Sequence, residues 1–142
     1  MKIKIIKSDF DRETGTSTVI IQTNLGKFIG LSKLHEEDKP YESSFAGCQY
    51  AEMRAIIKYM KARIQKISNE IIGLEKGIKM LMNLKDYNKD SLENRKLRKQ
   101  LYIMKQEKKD WEERLKSLSD RLYKKMNERI AFIKRIEKEE EK

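Results

Sequence analysis

The chain has 142 residues, the length of one ordinary domain. Charged residues make up 39% and hydrophobic residues 38%, a balance that is typical of long helices with one apolar stripe. The single cysteine excludes an internal disulfide framework and a cysteine-based zinc site, and no apolar run approaches the roughly 20 residues that a membrane span needs.

The first part of the chain, residues 1–34, predicts an antiparallel meander of three short strands. MKIKIIK alternates isoleucine with lysine, which is the period of a strand with one apolar face. STVIIQT and KFIGLSKL are the second and third runs, and DRETGT and NLG are turns, in which Gly15 can adopt a positive φ. A sheet of three strands needs a cover for its apolar face.

The rest of the chain predicts two helices. The expected segments are a polar loop at 35–45, helix 1 at 46–85, a turn at 86–91, helix 2 at 92–138 and a charged tail at 139–142. The heptad positions of helix 1 are Ile57, Met60, Ile64, Ile67, Ile71, Leu74, Ile78 and Leu81. Those of helix 2 are Leu97, Leu101, Met104, Lys108, Trp111, Leu115, Leu118 and Leu122, after which the pattern slips by one to Met126, Ile130 and Ile133.

The short turn makes the two helices antiparallel neighbours. Pairing Ile78 with Leu97 and Ile64 with Trp111 aligns both heptad repeats and places the chain reversal inside the predicted turn. Helix 2 then extends beyond the start of helix 1, and its residues Met126, Ile130, Phe132 and Ile133 should cover the sheet. The predicted fold is α+β, with a three-stranded antiparallel β-meander packed on the base of a long antiparallel two-helix coiled-coil hairpin, all in one domain.

The net charge of +10 belongs to the helical part. Residues 1–48 carry seven basic and seven acidic residues, residues 49–85 carry eight and three, and residues 86–142 carry eighteen and thirteen. Six cations fall on two helical stripes at the base of the predicted hairpin: Arg54, Lys58 and Lys61 on helix 1, and Arg121, Lys125 and Arg129 on helix 2.

Because like charges repel, these six residues predict a site for an anionic partner. That partner is an acidic protein surface or a protein–nucleic acid complex, and DNA or RNA bound directly is a further option. The alternative is a solvated basic coat whose repulsion is relieved by Glu52, Asp120 and Glu128. Placed outside the heptad seam, Arg54, Lys58 and Lys61 should tolerate charge reversal without loss of the fold.

A second apolar set lies off the heptad seam and predicts a homodimer in which two hairpins pair as a four-helix bundle. Its members are Ile72, Met80, Met82, Tyr102 and Ile103. The alternative is that these are isolated exposed side chains, which are normal on protein surfaces.

The residues that carry enzyme chemistry do not form a recognisable pattern. Cys48 and the only histidine, His35, could form a nucleophile and base, but a small buried residue is the favoured interpretation of Cys48. Phosphate-binding glycine motifs and metal-ligand spacings are not seen. We therefore expect a protein that is not an enzyme, with no catalytic residues, no cofactor, no metal and no membrane span.

The stretch FAGCQYAEMRAIIKYMKARI, after a short β-meander and before a Lys/Ile-rich helical hairpin, carries a resemblance. Over residues 38–66 the chain resembles small accessory proteins of bacteriophages and mobile elements, including anti-CRISPR and other counter-defence proteins. The resemblance implies a non-enzymatic protein that binds and inhibits a host nuclease or nucleoprotein defence complex in the host cell cytoplasm. Since the chain is basic, mimicry of DNA is disfavoured.

Two other functions stay open. One is a general DNA- or RNA-binding coiled coil that acts in replication or recombination. The other is a structural protein of phage assembly. A cytoplasmic location is expected in each case, because the stretch MKIKIIKSDFDRE has no apolar core of a signal peptide.

Overall fold

The computed structural model describes residues 2–33, 44–84 and 91–140. Three strands precede two long helices: β1 (Lys4–Asp11), β2 (Thr16–Thr23), β3 (Gly26–Lys33), α1 (Ser44–Met82) and α2 (Leu92–Glu140). The strands form one antiparallel sheet in the order β1-β2-β3, and the two helices pack against each other and against the sheet. The predicted α+β fold with a helical hairpin is confirmed.

The helices differ from the predicted ranges only at their ends. Helix α1 begins at Ser44 and ends at Met82, and α2 continues to Glu140 because the glutamates and lysines of the charged tail are good helix formers. His35, most of the predicted loop at 35–45 and most of the predicted turn at 86–91 lie outside the described residues.

The chain divides into two compact units. The sheet unit consists of Met1–Tyr59 and Leu115–Lys142, and it holds the three strands, the start of α1 and the end of α2. The hairpin unit is Met60–Arg114, which holds the end of α1 and the start of α2. The two units are described separately below, and the single domain stays a prediction.

Both strand turns use a glycine where the chain needs a positive φ. Gly15 has φ 70°, and its amide donates to the Asp11 carbonyl oxygen at 2.7 Å. Gly26 has φ 113° and follows a turn in which the Thr23 hydroxyl donates to the Gly26 carbonyl oxygen at 2.8 Å. The pairing of β2 with β3 is continuous from Thr16 opposite Lys33 to Thr23 opposite Gly26.

Strand β1 departs from the expected alternation. The pairing of β1 with β2 shifts between Ile5 and Lys7, so an irregularity interrupts the period of two. As a result, Ile5 and Ile6 are both almost half exposed, and the predicted apolar face of β1 is not a continuous part of the core.

Small residues bring α1 onto the sheet. Gly47, Ala51 and Ala55 are spaced four apart and therefore share one helix face, and both alanines are fully buried. In β3, a Cβ atom at Gly30 would overlap the Ala51 carbonyl oxygen, so the helix backbone touches the strand backbone. A Cβ atom at Gly47 of α1 would overlap the hydroxyl of Ser17 in β2, which places the start of α1 over that strand as well.

The face of the sheet that contacts α1 is formed mainly by alternate residues of β2. Ser17, Val19, Ile21 and Thr23 of β2 alternate with half-exposed neighbours and point toward the helices. The contribution of α2 is smaller than predicted. Ile133 is buried, but Met126 is half-buried and Ile130 and Phe132 are close to half exposed. The small-residue face of α1 is therefore the main cover of the sheet, because it allows a closer approach than larger side chains do.

The hairpin unit has the predicted apolar seam. Met60, Ile67, Ile71 and Ile78 of α1 and Trp111 of α2 are buried, and the other seam positions are half-buried. The Arg63 guanidinium lies 5.6 Å from the centre of the Trp111 ring and 3.4 Å from a Glu107 carboxylate oxygen. These contacts agree with the register that sets Ile64 opposite Trp111.

We expect Gly30→Ala to destabilise the protein by at least about 1–3 kcal/mol, because the added methyl forces α1 away from β3. Gly73→Ala is the matched control: a Cβ atom there meets nothing within 4 Å, and alanine in a helix should stabilise by about 1 kcal/mol. Chemical denaturation followed by circular dichroism measures both. Equal effects at the two positions would contradict the contact between α1 and β3.

Candidate anion-binding surface

The six predicted cations are divided between the two units. Arg54, Lys58, Arg121, Lys125 and Arg129 belong to the sheet unit, whereas Lys61 belongs to the hairpin unit, where it is exposed. Arg121 and Lys125 lie one turn apart on α2, and Arg121 is exposed. The five cations of the sheet unit are called the basic surface below.

Two cations of the basic surface bind the edge of the sheet. An Arg54 nitrogen donates to the Leu31 carbonyl oxygen at 2.8 Å, and the Lys58 ammonium donates to the Ile29 carbonyl oxygen at 2.6 Å. Leu31 and Ile29 are two residues apart on β3, so their carbonyls point to the same side of the strand, and the two side-chain hydrogen bonds place that side at the edge that β2 does not cover. An unpaired edge is a template for strand addition, and these two side chains cover it.

This arrangement corrects the expectation that Arg54, Lys58 and Lys61 are uniformly free for a partner. Glutamate cannot donate a hydrogen bond to a carbonyl oxygen. Reversing the charge of Arg54 or Lys58 would therefore disturb β3 as well as a binding surface. Lys61 is not engaged in this way among the described residues, so its predicted tolerance of charge reversal stays a prediction.

The predicted acidic partners of the basic surface do not form ion pairs with it. Within the residues that the structure describes, no carboxylate lies at ion-pair distance from Arg54, Lys58, Arg121 or Lys125. Glu52 is half-buried, and Asp120 and Glu128 are exposed. Four cations of this surface, Arg54, Lys58, Arg121 and Lys125, are therefore not paired with a carboxylate of the described residues.

Arg54 and Arg129 line the same cavity of about 180 Å³ in the sheet unit. Its described lining residues are Phe10, Gly15, Ser17, Ser32, Lys33, Ala46, Gly47, Tyr50, Arg54, Met126, Arg129, Ile130 and Ile133. The Tyr50 hydroxyl donates to the Lys125 carbonyl oxygen at 3.4 Å, which ties α1 to α2 beside the cavity. Burial raises the pKa of Tyr50 above its ordinary value, while Arg129 opposes the rise and Glu128 adds to it.

Sequence reasoning found the two arginines of this cavity but missed its serines. Ser17 and Ser32 face each other across β2 and β3, and both are buried. A signal was present in STVIIQT, where Ser17 shares the strand face of Val19 and Ile21 and is thus a polar residue on an apolar face.

The predicted dimer residues are all exposed in the hairpin unit. Ile72, Ile103 and Met82 are about half exposed, and Tyr102 and Met80 are more exposed still. Exposure leaves these side chains accessible to a second copy, and the homodimer stays a prediction.

Cys48 lies at the start of α1 in the sheet unit. It is half-buried, and its Sγ atom lies 3.8 Å from the Asp9 carbonyl oxygen. Its proposed base, His35, falls outside the described residues, so the Cys–His pair is not tested. Over 2–33, 44–84 and 91–140, no group of three His, Cys, Asp or Glu side chains is arranged to hold a metal ion.

Neither helix, over its described part, combines the length and the hydropathy that crossing a bilayer demands. No family model matches the chain, and no curated protein or solved structure is significantly similar to it.

Lys58→Met should lower the free energy of unfolding by about 1 kcal/mol, since the apolar stem is kept while the Ile29 carbonyl loses its charged donor. Lys61→Met is the matched control and should change stability by less than about 0.5 kcal/mol, because Lys61 is exposed. Urea denaturation compares the two variants. An unchanged free energy of unfolding in Lys58→Met would show that the edge of β3 is not stabilised by the Lys58 hydrogen bond.

If the hairpin units dimerise, the double substitution Ile72→Asp and Ile103→Asp should produce a monomer, because buried unpaired charges are strongly unfavourable in an interface. Sedimentation velocity measures the mass of both proteins. Tyr123→Asp, at an exposed aromatic of the sheet unit, serves as the control and should remain dimeric. A monomeric parent protein at high micromolar concentration would refute the predicted interface.

Proposed function

We propose that this protein is a non-enzymatic binding protein that occludes an anionic face of a macromolecular partner with its basic surface. The observation that carries the proposal is that four of the five cations of that surface have no described carboxylate at ion-pair distance. Arg121 and Lys125 lack a carboxylate partner among the described residues, and Arg54 and Lys58 direct their charges to backbone carbonyls, which leaves the positive charge in place.

The mechanism follows from electrostatics on a rigid support. Cations on the α-helices are held at fixed spacing, so a partner with complementary negative charge is steered to them and oriented by them. Charge pairs that form at the rim of such a contact raise the association rate and are weakened by salt. The protein needs no chemistry of its own if the covered face is the one that the partner uses.

The resemblance to counter-defence proteins suggests the identity of the partner. In this proposal it is a host nuclease or nucleoprotein defence complex in the host cell cytoplasm, which the protein inhibits by covering an acidic surface or the bound nucleic acid. The net charge of +10 supports an anionic target and argues against mimicry of DNA.

One observation favours the second candidate, direct binding of DNA or RNA. Tyr123 is 70% exposed on α2, and the next residue, Lys124, is exposed as well. Exposed aromatic rings beside cations can stack on bases while the cations contact phosphates. A protein that uses its basic surface in this way would act on nucleic acid without a nuclease partner.

The decisive variant reverses charge on α2 alone, so that the cover of β3 stays intact. We expect Arg121→Glu, Lys124→Glu and Lys125→Glu together to preserve the helical circular dichroism spectrum and to abolish partner capture from host lysate. The matched control is Arg95→Glu, Lys96→Glu and Lys99→Glu, three exposed cations near the start of α2. Capture should also fall as salt rises, because the contact is electrostatic.

Two further arms separate the candidates. Treating the lysate with a nuclease before capture removes any partner that is held through free nucleic acid, and a gel shift with random duplex DNA and RNA measures direct binding. Salt-dependent shifts by the purified protein that are lost in the triple variant favour the second candidate. Retained capture by the Arg121, Lys124 and Lys125 variant, with loss in the control, would refute the basic surface as the contact.

A further inference from the structure

We propose that the cavity of the sheet unit binds a small amphipathic carboxylate, a molecule that joins one carboxylate group to a compact apolar body. The cavity offers hydroxyl groups, cations and apolar walls within about 180 Å³. The basic surface shares Arg54 and Arg129 with this cavity, but the proposed function concerns a macromolecular partner and its test varies residues that do not line the cavity, so this inference does not depend on it.

One polar group in the wall of the cavity, the Ser17 hydroxyl, lacks a hydrogen-bond partner among the described residues. Ser17 is 1% exposed, and its hydroxyl oxygen is buried without a hydrogen-bond partner among the described residues. Buried hydroxyl groups in native proteins are nearly always paired, so an unpaired one in a cavity wall indicates a missing acceptor. Ser32, directly opposite on β3, is also buried and lines the same cavity, and a serine hydroxyl can donate to a carboxylate oxygen.

The charges around the cavity select for an anion. Lys33, Arg54 and Arg129 line it, and no Asp or Glu occurs among its described lining residues. Helix α1 begins at Ser44, and Ala46 and Gly47 of its first turn line the cavity, so the positive end of the helix dipole lies there. The Arg54 hydrogen bond to Leu31 fixes its guanidinium in advance, which lowers the entropy cost of binding a ligand.

The remaining wall is apolar and limits the size of the ligand. Phe10, Met126, Ile130 and Ile133 surround the cavity, and Ile133 is buried. A cavity of roughly 150 Å³ lined by apolar side chains holds a benzene molecule. The volume of about 180 Å³ therefore fits an aromatic ring or a branched aliphatic chain with a carboxylate. A bare inorganic anion would leave the apolar wall unfilled.

The test titrates the purified chain with phenylacetate, phenylacetamide and phenethylamine, which share one apolar body and differ in charge. Isothermal titration calorimetry gives affinities, and amide chemical shifts locate the site. We expect phenylacetate to bind at least about tenfold more tightly than phenylacetamide, because charge-assisted hydrogen bonds are stronger than neutral ones. Phenethylamine should not bind, since three cations and the start of a helix face the cavity.

Three variants connect the binding to the cavity. Ser17→Ala should weaken phenylacetate binding about tenfold, while the melting temperature of the free protein stays equal or rises because an unpaired buried hydroxyl is removed. Arg129→Gln should abolish the preference for phenylacetate over phenylacetamide. Arg135→Gln, an exposed arginine further along α2 that does not line the cavity, should bind as the parent protein does.

Several results would overturn the proposal. They are equal affinity for phenylacetate and phenylacetamide, failure of all three probes to bind, unchanged binding by Ser17→Ala, and chemical-shift changes confined to residues away from the cavity. None of these results bears on capture of a macromolecular partner, because that experiment varies Arg121, Lys124 and Lys125. The two proposals therefore fail separately.

Discussion

The backbone of α1 lies directly against β3 at Gly30, and the other features of the sheet unit depend on this contact. Because Gly30 has no side chain, the Ala51 carbonyl can approach the strand closely. The residues of α1 before and after Ala51 therefore also lie near the sheet. One turn further along, Ala55 continues the contact, and Tyr59 then reaches the strand turn, where its hydroxyl donates to the Asn24 side-chain oxygen at 2.8 Å. The same approach brings Arg54 and Lys58 within reach of the edge of β3.

Most of the fold could be predicted from periodicity and little of the candidate site could. Heptad spacing identifies a seam whether or not its partner is known, and Gly15 marks a turn because few other residues adopt its φ. A glycine in a predicted strand is ordinarily expected to weaken it. The sequence does not show that Gly30 instead lets the α1 backbone touch β3, because that contact depends on the tertiary structure. The role of the α2 end was overestimated for the same reason.

The basic residues show a related limit. Spacing correctly placed Arg54 and Lys58 on one face of α1, but a pattern of charges cannot distinguish a cation that awaits a partner from one that binds a carbonyl oxygen of its own chain. The structure distinguishes the two cases by the distances from the Arg54 and Lys58 nitrogens to the carbonyl oxygens of β3. It also shows that Ser17 is an unpaired buried hydroxyl, which depends on the pairing of β2 with β3 and on the position of Gly47.

The two outer strands of the sheet are protected by different means, and this determines how the protein behaves when crowded with copies of itself. Strand β1 carries lysines and an interruption of its pairing, whereas β3 relies on donors supplied by α1. A lysine that is acetylated at position 58 would lose its ammonium while its helix stays in place. Such a modified chain would leave the Ile29 carbonyl without its charged donor, beside the half-exposed side chains of Ile29 and Leu31, and this part of the edge would favour pairing between copies that are otherwise still folded.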